Sequence, residues 1–179
     1  MNLQARRLSL LVLIFTGIFT GCDEADELTE FDISESFTTT INVNIPGDSQ
    51  SEASIDEFAG IDIINSPEIE DNYNLIQSIS INSITYEIDD FSGFDGAVVS
   101  NASFTLNGDT ISIDDVTLED ADNNNTIFVL EDEVVFNSIS QMLLNSSELS
   151  IGVSGTVNGT PVQFNVIVNF DITVTVDVL

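Results

Sequence analysis

The sequence predicts an all-β fold, an antiparallel β-sandwich of about seven strands that carries two short helices. Three observations lead there. In "VQFNVIVNFDITVTVDV", Val162, Phe164, Val166, Val168, Phe170, Ile172, Val174, Val176 and Val178 alternate with polar neighbours almost throughout. That period of two belongs to a strand with one face on a core and one in water. "FDISESFTTTINVNI" repeats the pattern near the other end, with Phe31, Ile33, Phe37, Ile41, Val43 and Ile45 on one face. Between them, turn signals break the chain at short intervals.

The elements follow in order. Residues 31–45 form the first strand, and "GDSQSEAS", residues 47–54, is a loop by composition. Ser66-Pro67 predicts the start of a helix, with serine as cap, proline in the first turn, and Ile69, Tyr73 and Ile76 on one side. "SFTLNGDTISI" is a hairpin in which Asn107-Gly108 supplies the positive φ angles of a two-residue turn. Its register sets Phe104 opposite Ile111 and Ala102 opposite Ile113. The run continues as the strand "ISIDDVTL". "EDEVVFNSISQMLLN" is a second helix, with acids in its first turn and Val135, Ile139, Met142 and Leu143 in one stripe. A second hairpin is expected about Gly159-Thr160, pairing Val157 with Val162, Val153 with Val166 and Ile151 with Val168. Gly155 would then make room for the ring of Phe164. The alternative architecture is a curled half-barrel with the helices as a lid, as in lipid-carrying lipoproteins.

Charge narrows the function. The 179 residues hold 31 Asp and Glu, no His, and two basic residues, Arg6 and Arg7. A chain cut before Cys22 keeps all 31 acids and no basic side chain. It can form no salt bridge between side chains, so its self-repulsion must be relieved by solvent cations. It lacks the groups that neutralise phosphates, which excludes nucleic acid as a partner, and an anionic lipid surface repels it. The plain reading of such acidity is adaptation to saline surroundings; specific cation binding is the sharper one.

The head of the chain explains where these acids are displayed. "MNLQARR" is a basic n-region and "LSLLVLIFTGIFT" an apolar run of signal-peptide length, shorter than the roughly 20 residues that span a bilayer. Arg6-Arg7 also evokes a twin-arginine signal, although general secretion fits the surrounding residues better. The run ends Phe19-Thr20-Gly21-Cys22, which resembles the lipobox of bacterial lipoproteins, with Phe19 in place of the usual leucine. The resemblance implies that Cys22 is acylated and becomes the N-terminus. "DEADELTE" after it resembles the acidic export signal of surface lipoproteins in some Gram-negative lineages. Elsewhere an Asp next to the cysteine retains a lipoprotein in the inner membrane. The expected organisation is therefore a signal peptide over 1–21, a lipidated cysteine and acidic tether over 22–30, and the β domain over 31–179. The expected location is the outer membrane at the cell surface, lipid-anchored, with a periplasm-facing domain as the alternative.

Missing residue types exclude much chemistry. Without His, Lys or a mature Arg there is no Ser-His-Asp triad, no Schiff-base lysine and no histidine–cysteine zinc site. Glycoside hydrolysis needs two carboxylates, and Asp89, Asp90 and Asp95 in "DDFSGFDG" are the candidates, but there is no Trp platform for a sugar. No enzyme activity and no cofactor are expected. "DADNNNTIFVLE" resembles the calcium loop of EF-hands, with Asp120, Asp122, Asn124, the Thr126 carbonyl and Glu131 at ligand positions. Asn125 replaces the usual glycine, and a strand precedes the loop instead of a helix. Three functions remain: a surface module that binds an envelope protein or glycan, a carrier of a small apolar ligand, and a carboxylate-based hydrolase.

Overall fold

The computed structural model describes residues 29–47 and 51–178. The signal segment, Cys22, most of the tether and the middle of the 47–54 loop lie outside the described residues. Nine strands there build two antiparallel sheets. In the first, β1 (Glu30–Ile45), β9 (Val162–Asp177), β3 (Ile76–Ser92) and β7 (Phe128–Leu130) stand in the order β1-β9-β3-β7. In the second, β2 (Ala53–Asp62), β8 (Glu148–Val157), β4 (Val98–Leu106) and β5 (Asp109–Ser112) stand in the order β2-β8-β4-β5, with β6 (Val116–Thr117) also beside β4. The sandwich expected from the alternation is present, with nine strands among the described residues where about seven were predicted.

β9 is the clearest product of its sequence. Its eight apolar positions from Val162 to Val176 are all buried, and Val178, one residue past the strand, is exposed. On β1, Ile33, Ile41 and Val43 are buried, Phe37 and Ile45 are partly so, and Phe31 is exposed at the strand's end. Glu35 occupies one of the inward positions, where it accepts a hydrogen bond from Ser66 Oγ at 2.7 Å. Ser66 Oγ also lies 3.4 Å from Ile69 N, so it caps α1 (Pro67–Asn72) as expected and fixes that helix against β1.

The outer face of the first sheet solves the problem of missing cations with neutral donors. Thr175 Oγ1 donates to Asp32 (2.8 Å), Gln77 Nε2 to Asp177 (2.9 Å) and Ser83 Oγ to Asp171 (2.7 Å). Hydrogen bonds from Ser36 and Ser83, on the two flanking strands, hold the Asp171 carboxyl below its ordinary range. A depressed folded pKa contributes stability above the ordinary carboxylate pKa, and that contribution is lost as pH falls through the folded value.

The Asn107-Gly108 hairpin forms with the expected register. Phe104 faces Ile111, Ile113 N donates to Ala102 O at 3.0 Å, and Asn107 and Gly108 have φ of 48° and 100°. The second hairpin does not form. β8 lies between β2 and β4, and β9 between β1 and β3, so the two strands belong to opposite sheets. Val157 pairs with Ala53 and Val99, and Val166 with Ile41 and Ile88. Alternation marks which side chains face inward, and it is the same for a lateral neighbour as for a strand across the core. The switch is set at Asn158, whose Oδ1 accepts from Val98 N (2.9 Å) and whose Nδ2 donates to Gly96 O (3.1 Å), keeping residue 158 in the second sheet. Gly155 makes room for β4 instead of Phe164: a Cβ there would stand 2.9 Å from Val99 Cγ1 and 3.3 Å from Ser100 O. That contact lies at the bulge where Asn101 takes a φ of 50°.

The helices also differ from expectation. The predicted helix α3 (Glu133–Leu143) is present, capped by Asp132, which accepts from Val134 N and Val135 N at 3.0 Å each. It buries Val135, Ile139, Ser140 and Leu143, with Met142 half-buried. An unpredicted helix, α2 (Leu118–Asn123), replaces the end of the "ISIDDVTL" strand, burying Leu118 and Ala121. Short 3-10 turns at Ile63–Asn65 and Tyr73–Leu75 flank α1.

Candidate functional site

The two sides of the sandwich close differently. On one, the edge strands β1 and β2 meet directly, and Thr39 Oγ1 donates to Gly60 O at 3.3 Å. On the other, the chain crosses from β5 through residues 113–115, β6 and α2 to β7, the edge of the opposite sheet. A cleft of about 350 Å3 lies in that crossing, lined by Tyr86, Ile111–Val116 and Phe128–Glu131.

Tyr86 forms its inner wall. β3 places it on the core side, where only 4% of it is exposed. Phe128 stacks on one ring neighbour position (centroids 4.7 Å apart, planes 12°) and Phe104 meets the ring at 4.7 Å and 49° from the other sheet. Aromatic contacts of this kind are worth about 0.5–1.5 kcal/mol each beyond the area they bury, so the ring is held in one orientation. Among the described residues no buried side-chain oxygen or nitrogen is left without a hydrogen-bond partner. The phenol is pushed up from 10.0 to about 12, first by burial and then by the Asp114 carboxylate, which also lines the cleft.

A raised phenol pKa has a defined consequence. Between pH 10.0 and about 12 the unfolded chain ionises Tyr86 while the folded one does not. Stability is unaffected by Tyr86 below that window and falls as pH rises through it. Ultraviolet titration of the phenolates should resolve a late step that Tyr86→Phe removes. A parent titration with no such step would place the ring in ordinary solvent.

The candidates read from the sequence lie elsewhere or at the rim. Asp120 is exposed and Asp122 half-buried on α2, whose carbonyls are already engaged: Asn124 Nδ2 donates to Asp120 O (2.7 Å) and Thr126 N to Ala121 O (2.9 Å). Asn125 takes the left-handed conformation, φ 48°, that the loop reading asked of it. Glu131 follows β7 and lines the cleft. Among the described residues no three carboxylates stand close enough to share a metal ion, and this includes Asp120, Asp122 and Glu131. Asp89 and Asp90 lie near the end of β3, where Asp90 accepts from Asn165 Nδ2 at 3.4 Å, and Asp95 is exposed in the following turn. Cys22 lies outside the described residues.

No family model matches the chain, and no curated protein is significantly similar to it. A solved chain from Desmodium yellow mottle tymovirus is similar at 8% identity with a TM-score of 0.32, over 83% of this chain and 84% of that one. So remote a likeness carries no functional argument.

Sequence reasoning missed the cleft because its walls come from three separate stretches, residues 86, 111–116 and 128–131. The pairing of "FVL" with β3, Ile84 to Leu130 and Tyr86 to Phe128, is what brings them together. The one local signal was the cluster of Asp114 and Asp115 after an apolar alternation, where a solvent-exposed break in a strand is normal.

A void of about 40 Å3 lies deeper, between the sheets, against Tyr86, Phe104 and Phe164. It has room for a few waters at most, since one water needs roughly 10–15 Å3 of such volume.

Proposed function

We propose that the protein is a lipid-anchored, acidic β-sandwich displayed from the outer membrane at the cell surface, serving as a binding or structural module of the envelope. The observation that carries this reading is the order of residues 17–30, in which an apolar run ends at Thr20-Gly21-Cys22 and an acidic segment leads directly into β1 at Glu30. Two acyl chains or more on Cys22, each buried methylene contributing ~0.8 kcal/mol, hold a domain stably at a bilayer where one chain does not. Like charges along the tether keep it extended and lift the sandwich from the lipid.

The filled interior favours this over a carrier. A core void of about 40 Å3 is far below the roughly 300–1,000 Å3 of small-ligand sites. The scattered positions of Asp89, Asp90 and Asp95 give a hydrolase no cleft of its own. Fractionation tests the anchor: Cys22→Ala should move the protein from the membrane to the soluble fraction, or stall it with its signal peptide attached. A variant that fractionates and migrates like the parent would overturn the reading. Protease added to intact cells should digest the parent if the module faces outward; full protection would assign it to the periplasmic side.

A further inference from the structure

We infer that the outer face of the second sheet, around Phe58, binds a neutral glycan whose sugar rings stack on that side chain. The inference names the partner of the binding module proposed above, and it rests on that reading for its setting at the cell surface. Phe58 is 59% exposed, more than any other aromatic residue among those described. The chain has no Trp, and Phe58 supplies the ring that a sugar needs.

The register fixes the ring's surroundings. Phe58 on β2 stands beside Gly152 on β8, followed by Thr105 on β4 and Thr110 on β5. A Cβ on Gly152 would collide with the Cδ1, Cε1 and Cζ atoms of Phe58, so the ring lies over the glycine, which is buried. One side of the ring covers backbone and the other meets water. The next row on the same face is Asp56, Ser154, Ser103 and Ser112, where Ser103 Oγ and Ser154 Oγ share a hydrogen bond of 2.8 Å. A hydroxyl pair of that kind would complete the Phe58 row without exposing apolar surface. Shielding a glycine accounts for the inner side of the ring and leaves the outer side to a ligand.

Size and charge select the occupant. A stable protein interface covers roughly 800 Å2 on each partner around an apolar core, and one ring among hydroxyls offers no such core. A pyranose divides its surface as this face does, with C–H groups on its flat sides and hydroxyls around its rim. The C–H groups suit the negative face of the aromatic ring. The hydroxyls of Thr110 and Ser112, both exposed, can donate or accept, and the exposed Asp56 carboxylate accepts. The row from Phe58 to Thr110 crosses all four strands of the sheet's main path, about 14 Å at ~4.8 Å per strand spacing. No Lys or Arg stands between Thr29 and Val178, so uronates and other anionic sugars are repelled. β-Linked glucose, with every hydroxyl equatorial, presents C–H groups on both sides of each ring and fits best.

Calorimetry on the full chain with cellohexaose as probe tests this. The sugar should bind saturably, about tenfold more weakly to Phe58→Ala and within about twofold of the parent to Phe58→Tyr, which keeps the ring. Thr110→Val, at an exposed position that keeps the fold whatever Phe58→Ala does, should weaken it by about threefold to tenfold through one lost hydroxyl. Cellohexaose oxidised to the carboxylate at C6 should bind at least about tenfold more weakly at low salt, and less so as salt rises. Absence of saturation with cellohexaose would overturn the inference, as would equal affinities in the parent and Phe58→Ala. Self-association that Phe58→Ala abolishes would give the ring to a second copy of the chain and overturn it too. Sugar binding does not pass through Cys22: a failed titration leaves the anchor standing, and a soluble Cys22→Ala protein should still bind the sugar.

Discussion

Phe170→Ala is expected to lower the stability of the domain by about 3–5 kcal/mol, the cost of a large aromatic removed from a core that cannot collapse around the gap. Phe170 is fully buried at the middle of β9, with Phe37 beside it on β1 and Ile84 on β3. β9 has a strand on each side, so neither neighbour can move inward without breaking its own ladder. Against a total of roughly 5–15 kcal/mol for a domain, the loss is a large share of what holds the fold. Urea unfolding should show a lower midpoint at an unchanged slope. Thr173→Ala, three residues on and facing the solvent side, should stay within about 0.5 kcal/mol. A Phe170→Ala midpoint close to the parent's would mean that the centre of the sandwich is not packed as described.

The second large effect is that of salt. Of the 31 acids, only Asp23, Glu24, Asp26 and Glu27 precede Glu30, so the domain holds 27 with no basic side chain among them. Neutral donors such as Ser83 and Thr175 satisfy individual carboxylates without cancelling any charge. Unfolding spreads these charges apart, so repulsion acts against the folded state at neutral pH. Salt shortens its reach from ~30 Å at 0.01 M to ~3 Å at 1 M. A gain of ~2 kcal/mol over that interval would raise the melting temperature by about 4–8 °C. Sodium and potassium chloride should act alike, since screening has no preference between them. A melting temperature indifferent to salt would show that the charges lie too far apart to matter. A gain from calcium far above that of sodium at equal ionic strength would instead point to a specific site, with residues 120–131 the first to mutate.

These effects rest on features of unequal legibility. Burial along β9 could be read residue by residue, because a period of two has no helical counterpart over so long a run. The cap at Ser66 and the turn at Asn107-Gly108 were legible because each is a local solution to a backbone need: an orphan N–H in one case, a positive φ in the other. Partner choice was not. β8 and β9 carry compatible inward faces and a turn between them, and only Asn158's bonds to Gly96 and Val98 reveal that the second sheet keeps its strand. Helix α2 was hidden for a related reason. Val116 and Leu118 fit a strand while Leu118 and Ala121 fit a helix, and two points of either pattern cannot decide. The Thr117 side chain, which makes no capping bond, gave no signal of its start. The lipidated cysteine is a matter of chain order alone, whereas the cleft exists only once β7 has found β3.

The placement of β9 sets a schedule. Of the described strands, the last in chain order stands between the first and the third, with Glu30 beside Asp177 and Ile76 beside Val176. During synthesis or passage through a membrane pore, β1 and β3 emerge with their inward residues, such as Ile41 and Ile84, bare and their backbones unpaired. They are separated by a gap one strand wide that nothing earlier in the chain can fill. Local pairing lets the β4–β5 hairpin form early, but the first sheet must close in a single late event governed by contacts of very long sequence separation, which are slow to form. A chain stalled before residue 162 can pair β3 with β7 but has nothing to join β1 to them. Until release, its exposed edges are those of an aggregation-prone intermediate, and the repulsion among its carboxylates is the one property that keeps neighbouring copies apart while it waits.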